Sequence, residues 1–299
     1  MHNKTFLLHA SLLLLFAALI GALYPLVKIA EETIPPLTLT LLRALFAVLF
    51  LLPVVGLLMK RNLKSLHREW KNYAILGLML SVVFISISEA EEYISAGLSA
   101  VLACVLPIST FLLTTLVLRW ERFSLMRLAG ALVALFGVSL FIGLHELLGG
   151  GSEWIGVCAI AGGFFVYSVY MIFFKTRELD PFLAATGTMI FVAIFMSIAA
   201  FALEQPLQIE PSRNSMLAAL FVGIFATGLG YVILYYLVAN AGPVFASTFG
   251  YFAPIFAILA SHFLISEPLS WGQLGGVAIT LTGAWLVNRR PKKPEATGA

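Results

Sequence analysis

The sequence predicts an all-α integral membrane protein with ten transmembrane helices, arranged as two inverted five-helix repeats. Two observations lead to this fold: the composition is that of a protein in lipid, and a long stretch of the chain occurs twice. Apolar residues make up 61% of the 299 residues and charged residues only 11%, whereas soluble domains average about 45–50% and about 25%. The chain therefore lacks the polar side chains needed to cover a water-exposed surface of its size.

Ten apolar segments have about the 20 residues that an α-helix needs to cross a hydrocarbon core. Every backbone polar group in lipid needs a partner within its segment, so these continuous segments are predicted to be helices. The strands of a membrane barrel would alternate in polarity and be about half as long. In chain order, the predicted spans are residues 6–30, 36–59, 72–90, 94–118, 123–144, 153–174, 181–203, 214–238, 243–265 and 271–287.

The duplicated stretch is residues 95–141, which recurs from Gly242 onward with one single-residue gap. The shared pattern is a proline in the middle of one span, a glutamate and a serine between spans, and two glycines in the next span. The matching pairs are Pro107 with Pro254, Glu121 with Glu267, Ser124 with Ser270, Leu128 with Leu274, Gly130 with Gly276 and Gly137 with Gly283.

Small residues recur at every fourth position ahead of each proline. They are Ser95, Ser99 and Ala103 in the first copy, and Gly242, Ala246 and Gly250 in the second. A spacing of four places each set on one helical face, where two helix backbones approach closely. Ser99 and Gly250 are therefore among the candidate substrate-binding residues.

A glycine-rich linker divides the chain near its midpoint. Residues 149–152 read Gly-Gly-Gly-Ser, a flexible composition, between a first repeat of residues 1–148 and a second of residues 153–288. Residues 289–299 form a basic tail. Each repeat holds five spans, an odd number, so the second repeat is expected to enter the membrane in the opposite orientation.

Lysine and arginine set the predicted orientation, because cytoplasmic loops are enriched in them. With the N-terminus inside, all of the 18 basic residues except Lys28, Arg43 and Arg213 fall on the inner side. The outer loops then carry mainly acidic residues. We therefore expect a multi-pass protein of the cytoplasmic (inner) membrane, with both termini in the cytoplasm.

The resemblance to a known family rests on the duplicated pattern and on the first two spans. Those spans carry Ile20-Gly21, Lys28, Pro35-Pro36-Leu37 and Arg43, and Lys28 recurs as Lys175. In order and spacing, the chain resembles the drug/metabolite transporter superfamily, in its ten-span form built from two EamA domains, over about residues 6–288. It departs from that family at Ile20, where a tryptophan is common, and in the acidic stretch at residues 88–93.

The resemblance implies a secondary transporter that exports small metabolites, such as amino acids or related amphipathic compounds, by alternating access. The expected partners are a small-molecule substrate and the lipid bilayer, with a proton as a candidate coupling ion and no nucleic acid. No cofactor, metal or catalytic residue is expected. The substrate and the oligomeric state stay open at this point.

A membrane channel and a membrane-embedded enzyme are the alternatives. His145-Glu146 begins like a zinc-protease motif, but Gly149 stands where the second histidine is required. The sequence holds no P-loop, which excludes drive by ATP through that motif. Saturable uptake and counterflow would distinguish a carrier from a channel.

Three charged residues are candidates for the binding site. Arg43 lies seven residues beyond Pro36, roughly 10 Å below the outer interface. A charge at that depth costs on the order of 2.5–3.5 kcal/mol, so Arg43 is expected to have a partner or to face a site. Lys28 is shallower and can snorkel toward the nearby surface acids. Glu89 ends the third span and is predicted to face the same cavity as Arg43, where it pairs with a cation or takes up a proton.

Tyrosines form a second set of candidates. Tyr167 and Tyr170 share a face of the sixth span, and Tyr231 and Tyr235 follow Thr227 at a spacing of four in the eighth. They lie too deep for an interfacial belt, and a buried hydroxyl requires a partner. The alternatives are ordinary packing and a pocket for an amphipathic or aromatic metabolite.

The duplicated residues have structural interpretations. Pro107 and Pro254 each remove one backbone hydrogen bond, so they are predicted to kink their helices and to serve in gating. Glu121 and Glu267, with Ser124 and Ser270, are predicted to cap the helix that follows each of them.

Overall fold

The computed structural model describes residues 2–91, 93, 102–103, 105–120, 124–142, 153–265 and 271–288, and every regular element in these ranges is a helix. The all-helical prediction is confirmed. The helices are α1 (His2–Glu31), α2 (Pro36–Pro53), α3 (Ser65–Arg68), α4 (Trp70–Glu91), α5 (Val105–Leu112), α6 (Leu125–Ile142), α7 (Glu153–Arg177), α8 (Pro181–Leu203), α9 (Arg213–Phe221), α10 (Gly230–Ala241), α11 (Pro243–Ser247), α12 (Phe249–Ile265) and α13 (Trp271–Asn288).

Six stretches of the described chain are long and apolar enough to cross a membrane. They are Lys4–Glu31, Pro36–Leu58, Trp70–Ala90, Trp154–Arg177, Pro181–Leu203 and Arg213–Ala241. Four shorter apolar helices, Val105–Val117, Leu125–Gly137, Pro243–Ala257 and Ala278–Val287, lie where the remaining four spans are predicted. The multi-pass membrane character follows from these helices, whereas the count of ten crossings stays a prediction.

Within the ranges given above, three segments adopt π-helical geometry. Val54–Leu58 continues α2, Leu113–Val117 continues α5, and Val222–Leu229 joins α9 to α10. A π-helical turn shifts the direction in which the following side chains point, and such turns are frequent at functional sites. The third segment is the longest of these and contains Thr227.

The two duplicated prolines lie at different depths in their helices. Pro107 lies in the first turn of α5, which begins at Val105, so its lack of an N–H leaves no hydrogen bond unmade there. Pro254 lies inside α12, which starts after a break at Thr248. Pro107 therefore lies at a helix start and not at the mid-helix kink predicted for it. The gating role of both prolines stays a prediction.

Helices α6 and α13 pack closely and antiparallel through glycines. A Cβ added at Gly283 would meet the backbone nitrogen of Ala134 and lie 2.6 Å from the oxygen of Gly130. A Cβ at Gly137 would meet the backbone of Thr280 and lie 2.9 Å from the oxygen of Gly276. Gly130 and Gly276 are matched in sequence, as are Gly137 and Gly283. Gly283 thus packs near Gly130, and Gly137 near Gly276.

Helices α2 and α8 form another antiparallel pair, held at both ends. The Glu204 carboxylate, just after α8, accepts hydrogen bonds from the backbone N–H groups of Leu37 (2.9 Å) and Thr38 (2.6 Å) at the start of α2. At the other end, Asp180 accepts bonds from the first turn of α8 and pairs with Arg61 at 3.2 Å. Carboxylates at helix N-termini satisfy donors that have no partner inside the helix.

The remaining packing also joins the two halves. α1 packs on α12, α4 on α7 and α8, and α2 on Val222–Leu229. Predicted residues Ser99, Glu121, Glu267 and Ser270, the linker at 149–152 and the tail at 289–299 lie outside the described residues. Ser124 directly precedes α6, and its carbonyl accepts the N–H groups of Arg127 and Leu128; capping by its side chain stays a prediction.

Replacing Gly283 with alanine tests the close crossing of α6 and α13. The added methyl group would press on the backbone of Ala134, and overpacking of this kind costs about 1–3 kcal/mol. Gly275→Ala in the same helix is the matched control, since nothing lies within 4 Å of its Cβ position. In detergent, G283A should melt several degrees below the parent protein while G275A melts at or above it. Equal melting temperatures for the two variants would contradict the packing described here.

Candidate functional site

Arg43 is the charged residue around which the buried polar groups gather. It lies in α2 with 9% of its surface exposed. Gly223, in the π-helical segment, allows this segment to cross α2 beside it: a Cβ there would lie 2.6 Å from the Cβ of Phe46 and 3.0 Å from the Arg43 carbonyl oxygen. The crossing therefore needs glycine, and it brings the following residues over Arg43.

The partners of the Arg43 guanidinium are neutral. Its Nε donates to the hydroxyl of Thr227 at 3.1 Å, and its Cζ lies 4.7 Å from the centroid of the Phe84 ring, a cation–π distance. Within the described residues the ion pair found is Arg61–Asp180, so Arg43 has no carboxylate at salt-bridge distance there. Glu31 is a described acid whose charge acts on Arg43, and it is exposed at the end of α1.

The structure does not bring Glu89 to Arg43, although the sequence analysis predicts that they face one cavity. Glu89 is exposed near the end of α4, and neither Arg43 nor Lys28 forms an ion pair with it among the described residues. Phe84 is the residue of α4 that faces Arg43, and Glu89 follows it by five positions. At roughly 100° per residue, the two side chains point roughly 140° apart. A role of Glu89 in proton uptake stays a prediction.

The four tyrosines form two buried pairs of hydroxyl groups. Tyr167 donates to Tyr231 at 3.2 Å, and Tyr170 donates to Tyr235 at 2.7 Å. The Tyr235 hydroxyl is also 2.7 Å from that of Thr188 in α8. The expectation that these buried hydroxyls find partners is confirmed, and the pairs tie α7 to α10.

Aromatic rings connect these pairs to Arg43 and to α1. The Phe84 ring meets Tyr231 edge-on at 6.4 Å, and Tyr167 meets Phe249 at 6.1 Å. Phe249 in turn packs on Phe16 at 4.7 Å. We call the group of Arg43, Phe84, Thr227, Tyr231 and Tyr167 the Arg43 cluster. It contains one positive charge, three hydroxyl groups and apolar ring faces, and both halves of the chain contribute to it.

Residues 7–143 and 154–289 each match the EamA-like transporter family. This chain belongs to that family. The similar proteins include the uncharacterized transporter YvbV of Bacillus subtilis. It is 25% identical over 297 residues, with 98% of this chain and 94% of that protein covered. The uncharacterized inner membrane transporter YedA of Escherichia coli is 26% identical over 289 residues, with 91% of this chain and 90% of that protein covered.

Protein PagO of Salmonella typhimurium is 23% identical over 252 residues, covering 84% of this chain and 83% of that protein. A solved crystal structure matches with a TM-score of 0.79 at 19% identity, over 93% of this chain and 97% of that one. The structural match supports the fold. Family and relatives together identify a membrane transporter of the EamA type and favour transport over enzymatic activity.

The other predicted site residues of this EamA-family chain lie in different places. Lys28 is exposed on α1, as expected for a snorkelling lysine. Gly250 is buried where α12 meets α5, since a Cβ there would lie 3.0 Å from the Ala103 oxygen and 3.4 Å from Pro107. Gly250 thus serves packing between the two proline-containing helices, and contact with a substrate stays a prediction for it.

Sequence reasoning missed two polar features. Ser168 in α7 bonds with Ser109 at 2.5 Å and with Thr110 at 3.0 Å, joining α7 to α5. Lys175 donates to the Ala239 carbonyl at 2.6 Å in the last turn of α10, where a carbonyl lacks a helical partner. The only signal for Ser109 and Thr110 is their position in an apolar span, and small hydroxyls there usually bond to their own helix.

A cavity of about 460 Å³ lies beside the end of α2 and is apolar. Its lining includes Phe50, Val54, Leu58, Phe182 and Val232. No residue of the Arg43 cluster borders it, and its walls offer no charge to hold a polar metabolite. The cavity suits hydrocarbon, so the candidate site remains the Arg43 cluster.

Replacing Tyr235 with phenylalanine tests the tyrosine pairs. The change leaves the hydroxyls of Tyr170 and Thr188 each without one partner, which costs about 1–3 kcal/mol for buried groups. Tyr236→Phe is the matched control in the same helix. The half-buried Tyr236 ring packs edge-to-face with His9, and phenylalanine keeps this ring contact. Purified Y235F should melt at a lower temperature in detergent and Y236F at that of the parent. A parent-like melting temperature for Y235F would mean that the hydroxyl pairs do not stabilise the fold.

Proposed function

We propose that this chain is a secondary transporter that exports small metabolites, such as amino acids or related amphipathic compounds, across the cytoplasmic membrane by alternating access. Membership of the EamA-like family supports transport. The observation that carries the site is the Arg43 cluster, because its polar groups come from both halves of the chain. Arg43 and Phe84 belong to the first half, and Thr227, Tyr231 and Tyr167 to the second. A substrate held there would touch both halves, so relative movement of the halves would change access to it.

Ten crossings in two inverted repeats form part of the proposal. The support is that α2 packs antiparallel on α8, and α6 on α13. Each pair joins helices that occupy equivalent places in the two halves. A pseudo-two-fold axis in the membrane plane relates such helices in inverted-repeat transporters, with the substrate site near the midplane.

The polar contacts at the two ends of α2 and α8 suit alternating movement. Glu204 bonds to the start of α2 through several charge-assisted hydrogen bonds, which are roughly twice as strong as neutral ones. The Arg61–Asp180 pair at the opposite end is partly exposed, with 48% and 26% of the two side chains accessible, and solvent screening keeps the contribution of such pairs at about 0–1 kcal/mol. The Arg61 end is therefore the easier of the two to open, and it lies on the inner side in the proposed orientation.

Cysteine labelling tests the orientation. In a chain with Cys104 and Cys158 replaced by alanine, Gln208→Cys lies in the outer loop and Lys64→Cys in an inner loop; both native side chains are exposed. A membrane-impermeant maleimide should label position 208 in intact cells and position 64 only after permeabilisation. Labelling of position 64 in intact cells would overturn the proposed orientation, and the permeabilised sample controls for reactivity.

Transport itself is tested in proteoliposomes loaded with a mixture of small metabolites and diluted into buffer. Efflux of each compound, followed by mass spectrometry, should exceed that from protein-free liposomes for a restricted set of compounds. Unlabelled compound outside should accelerate the exit of its labelled form, because a carrier returns faster when loaded. Non-saturable efflux without this acceleration would indicate a channel, and no efflux of any compound would contradict transport.

A further inference from the structure

We propose that Arg43 binds the carboxylate of a small monoanionic substrate, whose apolar or aromatic body lies against Phe84 and the tyrosine rings. This inference rests on the proposed function, since it names the class of compound that the transporter carries. It is drawn from the unusual state of Arg43, a buried cation whose partners in the described residues are all neutral.

The guanidinium has more donors than the structure uses. Arginine carries five N–H donors in a planar fork, and Nε bonds to Thr227. The four N–H groups of Nη1 and Nη2 have no hydrogen-bond partner among the described residues. The residue as a whole is 9% exposed, and its Nη atoms are not among the fully buried unpaired atoms of the described residues, so they keep some accessible surface. Charged donors that water reaches only in part are costly to leave without a partner.

A cation in a span normally has a counter-charge. Burial of a charge without one is unfavourable, and intramembrane arginines pair with acids or line a pathway. Among the described residues, Glu31 is exposed at the end of α1 and forms no ion pair with Arg43. The interaction with the face of Phe84 offsets part of the cost, at about 0.5–2 kcal/mol. An anionic ligand would remove the remaining free-energy cost of burying this charge without a counter-charge.

The number of charges selects the class of anion. The Arg43 cluster holds one positive charge, and Lys28 is exposed on α1, so a ligand with one negative charge balances the site. A carboxylate accepts two parallel N–H bonds from a guanidinium, a geometry that lysine does not match. A dianionic phosphate would leave one negative charge uncompensated in low dielectric, so we assign the site to monocarboxylates.

The surroundings select the body of the ligand. Beside Arg43 lie the ring of Phe84, the edge-on ring of Tyr231 and the hydroxyl pair of Tyr167 with Tyr231. These groups favour an apolar or aromatic body, and the tyrosine hydroxyls offer hydrogen bonds to a polar substituent on it.

The main alternative is that Arg43 only holds α2 to the π-helical segment through Thr227. That role needs the Nε bond and the stacking on Phe84, and it gives no preference for anions. The two interpretations are therefore separated by how binding depends on the charge of the ligand.

The probe is a panel of small monocarboxylates with aromatic or branched bodies, including 3-phenylpropionate, each compared with its primary amide. The amide keeps the shape and removes the charge. Binding to purified full-length protein is measured by the shift of the melting temperature with ligand concentration. At least one acid should bind about 10- to 100-fold more tightly than its amide, the range that charged hydrogen bonds supply. No preference for any acid over its amide would overturn the proposal, and this comparison needs no variant.

Variants then locate the preference. R43Q should reduce the affinity for the acid to that for the amide, and R43K should restore part of it. Arg213→Gln is the matched control, because it removes the same charge from an exposed position at the start of α9. A preference for acids that survives in R43Q would place the anion elsewhere and overturn the assignment to Arg43.

The transport assay in liposomes separates this inference from the proposed function. Transport of amines or neutral compounds only, unchanged in R43Q, would contradict the carboxylate assignment but not the proposed transport. Tight, Arg43-dependent binding of acids without movement of any compound would support the anion site and contradict the proposed transport.

Discussion

The fold depends on one constraint: in lipid, apolar side chains give no reason for helices to associate with each other rather than with the bilayer. Association must come from close backbone packing and from polar contacts between helices. In this chain several of those contacts run from one half of the sequence to the other. Gly130 meets Gly283 across α6 and α13, Gly223 meets Phe46, and the Glu204 carboxylate holds the start of α2. The two halves are therefore interlocked, and neither buries its own small-residue faces alone.

Interlocking limits how the molecule can change shape. Contacts through glycine bring backbones against each other, and opening them by even an ångström forfeits much of the dispersion energy. The hydrogen bond from Arg43 to Thr227 is different, because each partner can exchange it for a bond to a ligand or to water. It is thus a contact between the halves that can break and re-form at low cost. A substrate bound there would couple occupancy to movement, as the proposed alternating access requires.

The sequence alone predicted the helical segments closely, because continuous apolar runs bounded by charged or proline-rich loops leave few alternatives in lipid. It also identified Arg43 and the tyrosines, since a charge or a hydroxyl deep in a span requires a partner. It could not predict which partner. The pairing of Arg43 with Phe84 and Thr227 rather than Glu89 follows from the rotation of α4 and from the π-helical segment around Thr227, and both are set by tertiary packing. Gly77 and Gly223 are ordinary glycines in the sequence, and only the fold reveals them as crossing points.

The two crossings at these glycines show where the halves differ. A Cβ at Gly77 would meet the Cβ of Phe191 and the oxygen of Thr188, as one at Gly223 would meet Phe46 and Arg43. Thr188 thus occupies the position in the second half that is equivalent to Arg43 in the first half. Thr188 bonds to Tyr235 within its own half, whereas Arg43 reaches across to Thr227. The guanidinium of Arg43 therefore has no equivalent at the Thr188 crossing, and this difference between the two crossings is the asymmetry on which the proposed anion site depends.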